Sequence, residues 1–390
     1  MRALFVNENL GGHATVHLNL RRALDARPDV EAAFYDVPPP GLPRRIAALP
    51  VPGLGRMDLD LQPLRYQLAQ SAVVRRELRR RVAEADVVHA YTHNVALLSA
   101  GLLRERPSVV SLDGTNAQNA YRLPYRSPTR WTPVALRAVQ PFERRVYDAA
   151  TLVVTHSEWA AASVASYGVP RERIRIIPFG VTVPDPPSAP PSAAEPPRIV
   201  FVGRSLARKG GHRLLELYRS QLADVSELVL VTLDEVQPSP GVHVVNDVRP
   251  GDGRLEGILA TSRVFAFPSE MDLSPNVVLE AMAVGLPVVA LRAGAVAEMV
   301  VHGVTGLLVE PNDERGLATA IRSLVTDPAR AARMGAAGRA RVLERFDARV
   351  TTAALLDVLE EARGRHASRA GRGPGSPHLD LNLPRERNVS

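Results

Sequence analysis

Cysteine is absent from all 390 residues. That removes a disulfide framework, thiolate metal ligation and a cysteine nucleophile together. Aromatic residues make up only 5% of the chain, and no basic stripe is interleaved with them, which argues against nucleic acid as a partner. No apolar run approaches the roughly 20 residues of a membrane-spanning helix. Met1-Arg2 leads straight into the strand-like Ala3-Leu4-Phe5-Val6, too short for a signal peptide, so a cytoplasmic chain is expected. Several catalytic signatures are also missing: G-x-G-x-x-G, the P-loop, H-E-x-x-H and G-x-S-x-G. Asp58-x-Asp60 falls in a Pro-rich stretch, and the ten histidines show no metal-ligand spacing. No metal and no cofactor are expected.

What is present is a soluble α/β pattern. A chain of this length suggests two domains. The net charge of +7, nearly all arginine on the cationic side, suits phosphate-bearing substrates or a membrane surface. Arg2–Val6, a turn bearing Gly11-Gly12, and an amphipathic stretch 14–26 open a Rossmann-like half. Gly12 reads equally as a tight turn or as a site of close ligand approach. Strands ending at Tyr91-Thr92-His93 and at Asp113-Gly114 put His93 and Asp113 at the carboxyl edge of a parallel sheet, where such sheets bind ligands. Residues 38–63, rich in Pro and carrying Arg44, Arg45 and Arg56 beside Ile46, Leu49 and Leu54, read as a surface excursion. They pack on their own domain or touch a lipid surface peripherally.

The run 184–197, PDPPSAPPSAAEPP, cannot build a core element and reads as a linker. It separates an N-terminal half, 1–183, from a second strand-loop-helix series over 198–346. A further helix is expected over 347–362, where it can cross back to the N-terminal half, with a disordered tail over 363–390. In the second series, Arg204 and Lys209 lie in a glycine-bearing loop, where backbone and cations can approach a diphosphate. The stretch 265–290 reads as strand, acidic turn, helix, strand. Ser274 is the expected helix cap and Pro275 the first helical residue. The helix end suits a phosphate. Asp272 and Glu280, eight residues apart, offer carboxylates to vicinal hydroxyls. Glu270 competes with Asp272 for the acidic role.

The segments GRSLARKGG (203–211) and EMDLSPNVVLEAMAVGLPVVA (270–290) together resemble the retaining glycosyltransferases of family 4. So do NENLGGHATVHLNLRRAL (7–24), VVTHSEWAAASVASYGVPRERIRIIPFGV (153–181) and VVHGVTGLLVEPND (300–313). The resemblance runs over about residues 1–360 and implies the GT-B fold: two Rossmann-like α/β domains facing across a cleft. It implies a nucleotide-diphosphate-sugar donor, UDP- or GDP-linked, and a hydroxyl acceptor. Arg204 and Lys209 would bind the diphosphate, Asp272 the sugar hydroxyls and Glu280 the ribose. The turn amides of Ser274, Pro275, Asn276 and Val277 would hold phosphate and sugar. Gly12 would approach the donor from the first half, and Val248 would lie near the base. Two positions depart from the family pattern: Asp272 stands where glutamate is usual, and Asp113 where many members carry histidine. Asp113, assisted by His93, becomes the candidate for orienting or deprotonating the acceptor. The same fold also hosts nucleotide-sugar epimerases, and the shorter Asp272 is compatible with an accessory protein that binds donor without turnover.

Overall fold

The computed structural model of the chain describes residues 1–8, 12–120, 128–184, 196–249, 251 and 253–371. It is organised by two parallel six-stranded sheets. The first contains β1 (Arg2–Asn7), β2 (Glu31–Asp36), β3 (Val87–Tyr91), β4 (Ser108–Leu112), β5 (Leu152–Thr155) and β6 (Ile174–Ile176), in the order β2-β1-β3-β4-β5-β6. The second contains β7 (Arg198–Val202), β8 (Glu227–Val231), β9 (Val242–Val245), β10 (Val264–Phe267), β11 (Val288–Leu291) and β12 (Gly306–Val309), in the order β12-β11-β10-β7-β8-β9.

Helices cover both faces of each sheet, so the central strands carry apolar residues at successive positions rather than alternating. Every residue of β3, β4, β10 and β11 is buried. Phe265 and Phe267 of β10 have no exposed surface, and burial of each such ring is worth about 1.5–3 kcal/mol.

Both sheets reverse their winding direction in the middle. In the first, β1 has β2 on one side and β3 on the other; in the second, β7 lies between β8 and β10. Loops leaving such neighbouring strands in opposite directions open a crevice at their carboxyl ends. The crevice of the second sheet is bordered by the loop after β7, which carries Arg204 and Lys209, and the loop after β10, which carries Asp272. The crevice of the first sheet is bordered by the loop that ends at Gly12 and by the turn after Tyr91.

Some expected boundaries move. The stretch after Val95, which the sequence pattern reads as a helix over 95–103, is not one helix. A short 3-10 turn, His93–Ala96, is capped by Thr92, whose side chain accepts from Asn94 N, and the helix begins only at Ala100. The excursion over 38–63 contains a helix, Leu42–Ala47, and a 3-10 turn, Gly55–Met57. The last helix, Ala348–Gly371, runs past 362, so 363–371 are helical rather than disordered. The expected disorder of 372–390 and most of the expected linker, 185–195, fall outside the described residues. The last helix buries Leu355, Leu356, Leu359 and Ala362 against Ala3, Phe5, Leu20 and Leu24 of the first half, and Glu361 pairs with Arg175. The last helix, which follows the second sheet, thus packs against the first half.

Candidate active site

Lys209 is the only lysine in the chain; the other 47 basic residues are arginine. It ends the short helix Leu206–Lys209, which starts just after β7. Asp234 fixes that helix by accepting from Leu206 N at 2.7 Å, satisfying one free N–H of its first turn. The Lys209 ammonium pairs with the Asp272 carboxylate from the loop after β10, with 23% and 10% of the two side chains exposed. Glu270 does not share that position. It reaches Arg213 and is 45% exposed, which leaves Asp272 as the buried carboxylate of the turn. Arg204 is exposed, and its guanidinium makes no ion pair or hydrogen bond among the described residues.

Asp272 is seated by a close approach of main chain. A Cβ on Gly294, whose φ is +53°, would stand 2.2 Å from the Asp272 carbonyl oxygen. Only glycine fits both that conformation and that contact.

The helix after the turn spans Asn276–Ala283. Ser274 does not cap it. Pro275 occupies the N-cap position with extended backbone and no capping side chain. The Ser274 Oγ and Asn276 Oδ1 atoms are buried without a hydrogen-bond partner. The free N–H groups of the first turn and these two orphaned oxygens therefore sit at one helix end, beside Lys209 and Asp272. That end is suited to an anionic, hydroxyl-bearing ligand. Farther along the same helix, Glu280 is half-buried and finds no side-chain partner among the described residues. Burial alone pushes its carboxyl up to about 7, because the charged form is poorly solvated there. Val248 packs against the core that contains Val278 and Phe267, while Asp247 beside it pairs with Arg254.

The first half meets this end directly. Asn276 Nδ2 donates to the Gly12 carbonyl at 3.2 Å. A Cβ on Gly114 would come within 2.9 Å of Leu273 Cδ2. Asp113 and Asp272 each immediately precede a member of that contact. Asp113 lies 3.2 Å from His13 Nε2, the side chains being 13% and 21% exposed. His13 follows Gly12 and sets its ring edge-on to Tyr91 at 4.9 Å. Burial lowers the affinity of the His13 ring for a proton, but Asp113 and Glu8 outweigh it and leave the pKa raised. Burial likewise opposes ionisation of Asp113, and the imidazole holds its carboxyl below the usual carboxylate range. His13 was not among the candidates from sequence. Its signal was available: an imidazole directly after the glycine turn, at the first residue of a helix.

His93 does not join this group. Its Nε2 atom is 2.9 Å from Glu143 Oε1 in a pair with 2% and 0% exposure. Glu143 also accepts from Asn116 N at 2.9 Å and from Tyr167 Oη at 2.7 Å. These bonds, led by His93, overcome the burial penalty and keep the carboxyl low. His93 therefore belongs to a buried network inside the first half through Nε2, while its Nδ1 has no hydrogen-bond partner among the described residues, and it does not lie at the cleft edge expected for it.

A second contact joins the halves. Glu298, on the helix Val296–Met299, accepts from the backbone N–H groups of Glu158 and Trp159 at 2.8 and 2.9 Å. These are the first two residues of the helix Glu158–Ser166. A carboxylate on the sheet-two side thus caps a helix on the sheet-one side. Ser157 caps the same helix, accepting from Ala160 N at 3.0 Å.

Among known proteins, the family model described as Glycosyltransferase Family 4 matches residues 10–183, and that described as Glycosyl transferases group 1 matches 196–327. The chain is 31% identical to a GDP-mannose-dependent alpha-(1-6)-phosphatidylinositol monomannoside mannosyltransferase of Mycolicibacterium smegmatis, over 59% of this chain and 66% of that protein. It is 29% identical to a D-inositol 3-phosphate glycosyltransferase of Xylanimonas cellulosilytica, over 91% of this chain and 89% of that protein. Sucrose-phosphate synthase from Thermosynechococcus elongatus superposes with a TM-score of 0.70 at 19% identity, over 92% of this chain and 98% of that one. At that identity the likeness speaks for the fold, and the fold is GT-B.

Proposed function

Because the chain belongs to the group 1, family 4 glycosyltransferases, we propose that it moves a hexosyl group from a nucleotide-diphosphate-sugar to a hydroxyl acceptor with retention at the anomeric carbon. The observation that carries this reading is the pairing of Lys209 with Asp272 beside an uncapped helix end. A cation, a carboxylate and free backbone amides meet where the loops after β7 and β10 converge. In our reading the donor diphosphate takes Lys209 from Asp272 and engages Arg204. Negative charge grows on the departing phosphate as the glycosidic bond breaks. Lys209, Arg204 and the amides of Asn276 and Val277 answer that charge, and electrostatic stabilisation of this kind is commonly the largest catalytic term.

Asp272, released from Lys209, accepts from hydroxyls of the donor sugar, and Glu280 accepts from the ribose. Ser274 lies at the same helix end, and Gly12 and Asn276 close the donor from the two sides. Val248 borders the base. The donor is a UDP- or GDP-sugar; GDP-mannose dependence is named for the mannosyltransferase relative. Asp113, held by His13, faces the acceptor. The acceptor oxygen attacks from the face the phosphate leaves, and its proton passes to the departing phosphate oxygen. The protein's own cations answer the diphosphate charge, so the proposed reaction calls for no metal.

Calorimetry with UDP- and GDP-sugars tests the donor half of this reading. One of these donors is expected to bind, with the affinity falling at least about tenfold in Lys209→Ala and in Arg204→Ala, as loss of a charge-assisted contact implies. Unchanged binding in both variants would remove the diphosphate role. The proton coupling of the product's anomeric hydrogen then reports retention or inversion.

A further inference from the structure

The helix Leu42–Ala47 is oriented opposite to an ordinary surface helix. At about 100° per residue, Leu42 and Ile46 fall on one stripe, which Leu49 in the bend after the helix extends; the three are 71%, 56% and 61% exposed. Arg44 lies on the opposite side and is 3% exposed. Its guanidinium donates to the Pro38 carbonyl at 2.6 Å and to Tyr66 Oη at 3.2 Å. Arg44 faces the protein, while Arg45 and the apolar stripe face outward. Val51 and Leu54, 38% and 44% exposed, extend the outcrop, giving five large apolar side chains exposed within residues 42–54.

This outcrop is held in place. Asp60 accepts from Val51 N at 3.1 Å and from Gln62 N at 3.2 Å. Gln62 Nε2 donates to the Ala48 carbonyl and Arg65 Nη2 to the Leu49 carbonyl. The surrounding charge has one sign. Residues 38–82 contain nine arginines against Asp58, Asp60 and Glu77, in a molecule whose whole net charge is +7. Asp58 and Asp60 are buried, whereas Arg45, Arg56, Arg75, Arg76, Arg79 and Arg80 are exposed. The helix Gln62–Arg81 that carries most of them packs against Leu42–Ala47.

We propose that residues 42–54 form a docking surface for an anionic lipid bilayer, with the apolar stripe entering the headgroup boundary and the arginines meeting lipid phosphates. This is the combination of buried apolar area and cationic attraction by which interfacial helices bind. A second copy of the chain fits less well, because a two-fold contact would set these arginines against their own equivalents. Nucleic acid gives the apolar stripe nothing to enter. Among the described residues no helix is long and apolar enough to cross a membrane, so the proposed contact is peripheral. It does not depend on the transfer reaction.

The test is flotation of the full chain with phosphatidylcholine vesicles, with and without phosphatidylglycerol at roughly a third of the lipid. Binding is expected to the anionic vesicles and to weaken at about 0.5 M salt. Leu42→Ser/Ile46→Ser/Leu49→Ser is expected to lose at least about tenfold in partitioning, and Arg45→Glu/Arg56→Glu to lose the preference for anionic lipid. Because the chain has no cysteine, Leu49→Cys gives a single site for an environment-sensitive dye without dismantling the stripe. Its emission should shift blue on anionic vesicles, while a dye at Val350→Cys, on the last helix, should not respond. Failure of the unmodified chain to float, or equal flotation of the triple serine variant, would overturn the proposal. So would a Leu49 dye that stays in water, or a dimer that the serine variant splits while vesicles bind neither protein.

Discussion

Glu280 is a half-buried carboxylate with no side-chain partner among the described residues, and burial raises its pKa from 4.5 to about 7. The folded chain therefore favours the protonated form relative to the unfolded chain. Above about pH 4.5 the unfolded state ionises this group while the native state resists, so stability falls as pH rises toward 7. Glu280→Gln should melt higher than the unmodified chain at pH 8, by about 1–3 kcal/mol, and show little difference at pH 5. The same variant should lose donor affinity at pH 8, where the ionised carboxylate is expected to accept from the ribose. Thermal melts and calorimetry at the two pH values check both signs. Residue types and spacing made Glu280, Asp272, Arg204 and Lys209 visible in the sequence. Their pairing was not visible: Lys209 and Asp272 are 63 positions apart, and a loop cation gives no local sign of the carboxylate it meets. The position of His93 away from Asp113 was hidden for the same reason. This histidine stands where a ligand-facing residue was expected, but the backbone turn capped by Thr92 delivers it to Glu143, 50 positions later.

At the scale of elements, strands were easier to read than helix starts. Doubly covered parallel strands announce themselves as short apolar runs ending in Gly, Pro or polar residues. A helix cap depends on one dihedral angle. Ser157 met its N-terminus because its backbone is extended with the side chain over Ala160 N. Ser274 missed because Pro275 took the cap position. The inverted helix Leu42–Ala47 was hidden by its proline-rich setting, and its exposed stripe contradicts the usual inference from apolar to buried. No local pattern revealed that Glu298 caps a helix 140 residues earlier. Glu298→Ala leaves two helix-end N–H groups without their charged acceptor. It should destabilise the chain by about 1–2 kcal/mol and speed hydrogen exchange at Glu158 and Trp159, with Glu298→Gln recovering part of the loss. Unchanged exchange at those two amides would show that the contact does not hold the halves together.

For the whole molecule, the repeated strand-helix alternation on either side of a proline-rich run was enough to anticipate two parallel α/β halves. The sheet order was not legible in the sequence, because it is set by contacts between distant residues. That order makes the two crevices, bordered by the Gly12 and Lys209 loops, and Asn276 and Leu273 join them. The central claim is that a donor diphosphate takes the place of Asp272 at Lys209. Lys209 is the chain's only lysine, so acylation of its amine by a lysine-selective reagent can be followed at one peptide by mass spectrometry. With a nucleotide-sugar at a concentration that saturates calorimetric binding, acylation of Lys209 should slow at least about tenfold, as burial under a charged ligand requires; an unchanged acylation rate under saturating donor would show that the diphosphate does not engage Lys209.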